Sequence, residues 1–432
     1  MTDVKDTTQY VEEFDKANVT HDEAIELPAS LAGLSDDEIK KLGVKTTTKL
    51  DLVIMPALVI LYILNYLDRQ NVAASKLANI MKDLDMTVQQ YNTAVSILFA
   101  GYSAFYYLSM FYNRKQIAFR TAVLYSGSQL GNAFGTLFAI AILKLDGRYG
   151  LNGWRWLFLI EGIMTVGFAI IFACILPNSP RKIRGFTQQQ QDWLRWNYES
   201  DQKQQDHSDE ITAKQGLLMA VQDPKTWLMC GTLYATYTAA AVNNFFPTVV
   251  AGLGFSRNTS YGLTAPPFVL CVICMLINGF HSDKTQERFL HIALPLVITV
   301  IANIIAVSTL NVAARYVATM LMPASFYSSS IVQLAWISGS LSQPAVKRAA
   351  SIALINCICN TPNIWTSYTY YDSPRYVAAF GVNLGAAVIA MAMATATFFY
   401  LRRQNVKMDQ GRSLGKSGPT IVQQAAGFRY LL

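Results

Sequence analysis

The sequence predicts an all-α polytopic membrane protein, and three observations lead to that fold class. Apolar residues make up 52% of the 432 positions, whereas only 15% are charged. Apolar stretches of about 20 residues, long enough to span a bilayer as helices, recur ten times along the chain. Lysine and arginine are concentrated in alternate connections between these stretches. This combination is typical of a membrane protein and not of a large soluble core.

The ten predicted spans form a group of four and a group of six, separated by the longest polar connection. They are expected near residues 50–67, 91–112, 121–143, 154–176, 227–249, 263–280, 289–310, 316–337, 349–368 and 376–401. The spacing predicts an N-terminal helical bundle over 50–176, a cytoplasmic linker over 177–225 and a C-terminal six-helix bundle over 226–401.

Polar tails flank the spans. Residues 1–49 are expected to be a disordered tail because they are polar and show no sustained apolar period. Within them, Ser35 and Glu38 resemble a capping box that would start a short helix leading to the membrane. An even number of spans puts this tail and the tail over 402–432 on one side. The connections of that side hold 26 Lys and Arg against 9 on the other, so the positive-inside rule predicts that both termini are cytoplasmic.

Several classes of function are disfavoured by what the sequence lacks. It has no GxxxxGK[ST] phosphate loop, which argues against ATP-driven pumping. Its four histidines are scattered, so no metal site is expected. The net charge of +7 comes without an aromatic-studded basic patch, which argues against nucleic-acid binding. We therefore expect a membrane protein that is not an enzyme and has no cofactor.

Charged residues at the end of the first span are the strongest functional signal. Asp68 and Arg69 lie where the chain leaves hydrocarbon, and charges at such a depth usually face a bundle interior or a water-filled path. A protonatable carboxylate beside a fixed cation suits a proton-coupled carrier of organic anions. The structural alternative is an ion pair at headgroup level, where long side chains reach water. Glu161 is expected to form a structural ion pair with Arg155.

The two halves differ in length. A turn with alternating charges, 279–288, follows the sixth span and has no counterpart in the first half. From Trp227 to Lys347 there are 120 positions, whereas from Leu52 to the corresponding Lys115 there are 63. The first half is therefore short by about two spans, and the junction is expected at Tyr102–Ser103.

An ordered set of segments gives the chain a resemblance to the major facilitator superfamily, and within it to the fungal allantoate and nicotinate permeases of the anion:cation symporters. The set includes NYLDRQNVAA at 65–74, QYNTAVSILFAGY at 90–102, GWRWLFLIEG at 153–162, DKTQER at 283–288, NTPNIWTSY at 360–368 and PRY at 374–376. The resemblance implies two helical bundles that rock about a central site. This chain would have about 10 spans (4 + 6) instead of 12.

The resemblance also implies roles for individual residues. Arg69 would bind the substrate carboxylate and Asp68 would be the proton-coupling site. The residues expected to line the substrate cavity, each with interhelical hydrogen bonding as its structural alternative, are Tyr102, Gln129, Gln333, Trp336 and Asn356. Asp283, Lys284 and Arg288 would form a gate that holds the inward side closed.

The sequence thus predicts a monomeric secondary active transporter of the plasma membrane, with a small organic anion and a proton as its partners in the lipid bilayer. Proton-coupled uptake of a nicotinate- or allantoate-like carboxylate is the leading hypothesis. Two alternatives stay open, namely a truncated, transport-inactive product and a nutrient sensor that binds without transporting.

Overall fold

The computed structural model describes residues 27–77, 83, 104–177, 183–202, 212–245, 249–250, 257–341, 344–370, 375–412, 414, 418–419, 423 and 427–432. Nearly all of these residues are helical, and none of them forms a strand. The helices of the first half are α1 (Asp36–Leu77), α2 (Ala104–Phe111), α3 (Ile117–Leu143) and α4 (Gly153–Ile175). The connection contains α5 (Gln188–Gln202) and α6 (Ala213–Gln222).

The second half contains α7 to α13. Their bounds are α7 (Pro224–Ala239), α8 (Arg257–Thr285), α9 (Phe289–Ser308), α10 (Val312–Ser340), α11 (Ala345–Cys359), α12 (Pro362–Trp365) and α13 (Val377–Asp409), with 3-10 turns at Arg148–Gly150, Ala240–Phe245 and Thr366–Thr369. Five of the described helices are long and apolar enough to cross a bilayer by length and composition: α1, α4, α8, α9 and α13. Part of the predicted span 91–112 and the junction Tyr102–Ser103 lie outside the described residues.

The first helix starts earlier than expected. The Ser35 backbone N–H and hydroxyl both donate to the Glu38 carboxylate, at 2.9 and 2.8 Å. These contacts stand at the start of α1 at Asp36, so residues 36–49 are helical and not part of a disordered tail. The chain before the cap also packs, because Leu31 is fully buried.

Helix α9 shows how the sequence separates a lipid-facing side from a packed side. Its exposed apolar residues recur at helical spacing and are Leu290, Leu294, Val297, Ile298, Ile301 and Ile304. Its buried residues include Ile292, Leu296, Thr299, Ala302, Asn303 and Ala306. An exposed helix face whose apolar residues repeat about every 3.6 positions indicates contact with hydrocarbon.

Close helix crossings hold the first half together and join it to the second. Gly127 and Gly131 of α3 form a GxxxG pattern, in which small residues let backbones approach. A Cβ at Gly127 would lie 2.9 Å from the Val59 carbonyl oxygen of α1, and one at Gly131 would lie 2.9 Å from Cβ of Tyr66. Gly279 of α8 approaches α3 in the same way, because its Cβ would lie 3.0 Å from the Ala118 oxygen.

One end of the bundle collects buried cationic side chains. We call it the basic end and define it by Arg114, Lys225, Arg288, Lys347 and Arg348, all buried. The linker helices α5 and α6 lie at this end, where Asp201 of α5 pairs with Arg114 at 3.2 Å. The Tyr198 hydroxyl of α5 accepts a hydrogen bond from Arg348. The linker therefore touches both halves.

Candidate transport site

Two acidic side chains face each other between α1 and α4. Glu161 is only 2% exposed, and Asp68 is half-buried. The Asp68 carboxyl reaches the Glu161 carboxyl, and no other group of the described residues hydrogen-bonds to either Glu161 oxygen. Two carboxyls can hydrogen-bond only when one of them carries the proton, because like charges this close cannot both ionise.

The expected ion pair between Glu161 and Arg155 is wrong. The Arg155 guanidinium instead lies 5.2 Å from the centre of the Trp154 ring. Residues six positions apart point to different sides of a helix, since each residue advances by about 100°. Glu161 therefore faces α1 while Arg155 stays near the end of α4.

The predicted substrate residues that the structure describes lie on α3, α10 and α11. Position 69 follows Asp68 in α1, but the Arg69 side chain and the whole of Tyr102 lie outside what the structure describes. Gln129 is fully buried in α3, donates to the Ser128 hydroxyl at 2.9 Å and faces Tyr327 of α10. Asn356 is half-buried in α11.

A tyrosine-rich contact surrounds Gln129 where the two halves meet. Tyr62 of α1 packs edge-on against Tyr125 of α3, with ring centres 5.3 Å apart. Tyr66 is one turn further along α1 and lies next to Tyr62, with ring centres 5.5 Å apart. Hydroxyl groups in an otherwise apolar interior can bind a polar solute without burying further charge. Sequence reasoning missed these tyrosines, although their i, i+4 spacing on α1 is visible in the sequence.

Gln333 and Trp336 are occupied by contacts within the protein. The Gln333 amide donates to the Thr236 hydroxyl at 2.8 Å and to the Ser329 hydroxyl at 2.9 Å, which matches the structural alternative of interhelical hydrogen bonding. The Trp336 indole N–H donates to the Leu431 carbonyl at 2.8 Å. Trp336 therefore lies at the basic end. Asp68 is far from that end, because Asp51 pairs with Arg120 there and Asp68 lies about 25 Å further along α1.

Asp283 joins the two halves at the basic end. Its carboxylate accepts the backbone N–H groups of Phe119 at 2.8 Å and Ala118 at 3.3 Å, in the first turn of α3. Gln116, the residue before α3, gives no side-chain cap of its own. The second half thus supplies the cap that the helix lacks, and a negative charge there is stabilised by the helix dipole.

Arg288 completes this contact. It is fully buried and donates to Asp283 at 2.9 Å, to the Ser282 hydroxyl at 2.7 Å and to the Arg114 carbonyl at 2.7 Å. Lys284, the third predicted gate residue, is exposed at the surface. The structure therefore brings together two of the three predicted gate residues.

A second charged cluster lies beside the first. Asp223 caps α7 and pairs with Lys347 at 2.7 Å and Lys225 at 3.3 Å. Burial alone would raise the pKa of the Asp223 carboxyl, but the positive charges of Lys347 and Lys225 hold this pKa below its ordinary value. Burial lowers the pKa of Lys347, and the neighbouring Asp223 opposes that shift. No motif in the sequence marks this cluster.

A family model described as Major Facilitator Superfamily matches residues 103–363. The chain belongs to the major facilitator superfamily. It is accordingly a multi-pass membrane transporter and not an enzyme. The predicted helical fold of this superfamily is confirmed, whereas the number of spans stays a prediction.

Relatives in the superfamily are fungal transporters. An uncharacterized transporter of Schizosaccharomyces pombe is 25% identical over 89% of this chain and 89% of its own length. The MFS-type transporter cnsO of Penicillium expansum is 27% identical over 84% of each chain. The high-affinity nicotinic acid transporter of Saccharomyces cerevisiae is 23% identical over 93% of this chain and 88% of its own. The first of these alignments extends over 457 positions, more than the 432 residues of this chain, so the relative has residues without a counterpart here.

Solved structures of the superfamily share the fold. The proton:xylose symporter XylE, bound to 6-bromo-6-deoxy-D-glucose, superimposes with a TM-score of 0.53 at 18% identity, covering 87% of this chain and 88% of that one. A bacterial homologue of the human lysosomal transporter Spinster, in an inward-facing and occupied conformation, gives a TM-score of 0.50 at 14% identity over 81% and 96%.

Proposed function

We propose that this transporter is a proton-coupled symporter that takes up a small organic anion across the plasma membrane, with its basic end and both tails in the cytoplasm. The observation that carries the proposal is the contact between the Asp68 and Glu161 carboxyls, because two carboxyls this close share a proton inside the bundle. Arg69, adjacent in sequence to Asp68, supplies the cation for the anion.

Proton binding and anion binding are coupled through charge. With one shared proton the acid pair carries one negative charge, and we propose Arg69 as its counter-ion. A second proton makes the pair neutral and leaves the guanidinium free to bind a carboxylate, for which it offers two parallel donors. Each ligand therefore raises the affinity for the other, and the coupling is reciprocal. A nicotinate-like carboxylate is the proposed cargo, and the name of the Saccharomyces cerevisiae relative supports it.

Uptake assays test this coupling. Cells that lack their own carriers would express the chain, and uptake of labelled nicotinate would be measured from pH 4.5 to 7.5. We expect uptake to rise at acidic pH in the parent. Glu161→Gln keeps the side-chain shape but leaves only the Asp68 carboxyl to bind a proton, so the rise in uptake of this variant should move to a more acidic pH.

The matched control is Glu199→Gln, because Glu199 pairs with Arg195 on the linker helix α5, away from the acid pair. This control should keep the pH profile of the parent. An unchanged profile in Glu161→Gln would refute the role of the acid pair. If uptake by the parent does not change with pH, proton coupling is refuted altogether.

A second candidate is a transport-inactive form that is shorter than its working relatives. The alignment longer than the chain favours it. Sequencing the transcript across Tyr102–Ser103 separates the two candidates, since a longer message that adds about two spans would identify the longer form as the transporter.

A further inference from the structure

Residues 427–432 lie in a groove at the basic end, between the two halves. Phe428 is 2% exposed and Tyr430 is 5% exposed. This burial is unusual for residues that follow a polar stretch, 410–426, and it places two aromatic rings among the charged side chains described above. Their ring centres are 5.3 Å apart and their planes are perpendicular.

The backbone of this segment is bound as a peptide ligand would be. Asn405 of α13 accepts the Tyr430 N–H at 2.9 Å and donates to the Tyr430 carbonyl at 2.9 Å, so one amide side chain pairs with both polar groups of one residue. The next two carbonyls are also bound, because Leu431 accepts from the Trp336 indole at 2.8 Å and Leu432 accepts from the Arg288 N–H at 2.5 Å.

The segment touches both halves of the transporter at once. From the first half, Arg114 donates to the Arg429 carbonyl at 2.7 Å, and its guanidinium lies 4.3 Å from the centre of the Phe428 ring. From the second half, Lys225 donates to the Tyr430 hydroxyl at 3.1 Å and lies 5.1 Å from the centre of that ring. Separation of the halves at this end would break one of these two sets of contacts.

We propose that residues 427–432 form an intramolecular plug that binds across the two halves at the basic end, keeps that end closed, and must leave the groove before the transporter can open there. Arg288 and Trp336 couple the plug to the closed state: Arg288 also pairs with Asp283, which caps α3, and Trp336 lies on α10. The plug thus adds a second set of contacts between the two halves, beside the contact of Asp283 with α3.

Thiol labelling tests the plug without requiring transport. Ser340, at the end of α10, is 5% exposed and would be changed to cysteine in a background where the six natural cysteines are replaced. A membrane-impermeant maleimide would be applied to the basic end in membrane vesicles of both orientations. We expect Phe428→Ala combined with Tyr430→Ala to raise the labelling rate about tenfold or more.

The matched control is Arg429→Ala. The Arg429 side chain pairs with the exposed Asp409, while only its backbone carbonyl binds Arg114, so labelling in this variant should stay near the parent rate. Equal labelling rates in the double variant and the parent would overturn the proposal.

A cross-link tests whether the plug must leave. In the Asp409→Cys, Arg429→Cys protein, a short bifunctional maleimide would tether the segment to α13. We expect uptake to be lost on cross-linking while the unlinked variant transports, and full uptake by the linked protein would overturn the proposal. Absence of uptake in every protein, the parent included, would count against the proposed transport function, and the labelling rates would still decide for or against the plug.

Discussion

Removal of the Asp283 charge should open the basic end, and the structure gives the size of the effect. Asp283→Asn keeps the side-chain shape but loses the charge that caps α3 and pairs with the fully buried Arg288. Loss of a carboxylate at a helix N-terminus costs about 0.3–2 kcal/mol. The Asp283–Arg288 pair lies within the second half, so it is present in both the closed and the open state and does not add to this difference.

We expect the closed state to lose about 0.3–2 kcal/mol, which shifts the equilibrium between closed and open states roughly 2- to 30-fold. The assay is maleimide labelling of the Ser340→Cys reporter at the basic end. Lys284→Ala is the matched control, because Lys284 is the exposed neighbour of Asp283 and should leave the rate unchanged. A similar increase in both variants would refute the reasoning, since it would show that charge at this turn acts without the contact to α3.

Three further predictions follow from other contacts. Gly127→Leu should lower the melting temperature in detergent, because its Cβ would lie 2.9 Å from the Val59 oxygen, whereas Gly167→Leu in open space on α4 should not. Asp223→Asn should destabilise more than Lys347→Met, since it removes the carboxylate that two buried ammonium groups share, while the latter keeps the Asp223–Lys225 pair. The folded protein lowers the pKa of Asp223, so this carboxylate contributes stability above its ordinary pKa of 3.8, and the contribution is lost as the pH falls through the folded pKa. The melting temperature of Asp223→Asn should therefore fall less steeply with acid than that of the parent. Arg120→Lys should cost about 1–2 kcal/mol in thermal or chemical unfolding, because lysine cannot reproduce the two 2.7 Å contacts of Arg120 with both Asp51 oxygens. Arg195→Lys, at an exposed site on α5, serves as its control.

The helices could be predicted from the sequence because the information is local. Length and apolar composition mark α4, α8, α9 and α13, and the Ser35 and Glu38 pair marks the start of α1. The partner of Glu161 could not be predicted, because it depends on which face of α4 meets α1 across 93 positions of sequence. The gate turn was recognised, but the sequence could not show that Asp283 binds α3.

The environment of Trp336 was not predictable for a similar reason. An indole in an apolar span is compatible with a cavity, and only the folded chain shows its N–H bound to Leu431. The aromatic residues Phe428 and Tyr430, after a polar stretch, were an available signal that this segment docks.

The 42-residue α1 is about 63 Å long, roughly twice the thickness of the hydrocarbon core, so a small rotation of this helix moves its ends by several ångströms. A rotation of about 10° around its middle would move the Asp36 end by about 6 Å. That end cannot move independently of α5, since Gly43 packs closely against the Trp193 ring of α5 and the Ser30 hydroxyl donates to Asp192 of α5 at 2.7 Å. Any rotation of the first half must therefore move the linker helix α5 with it.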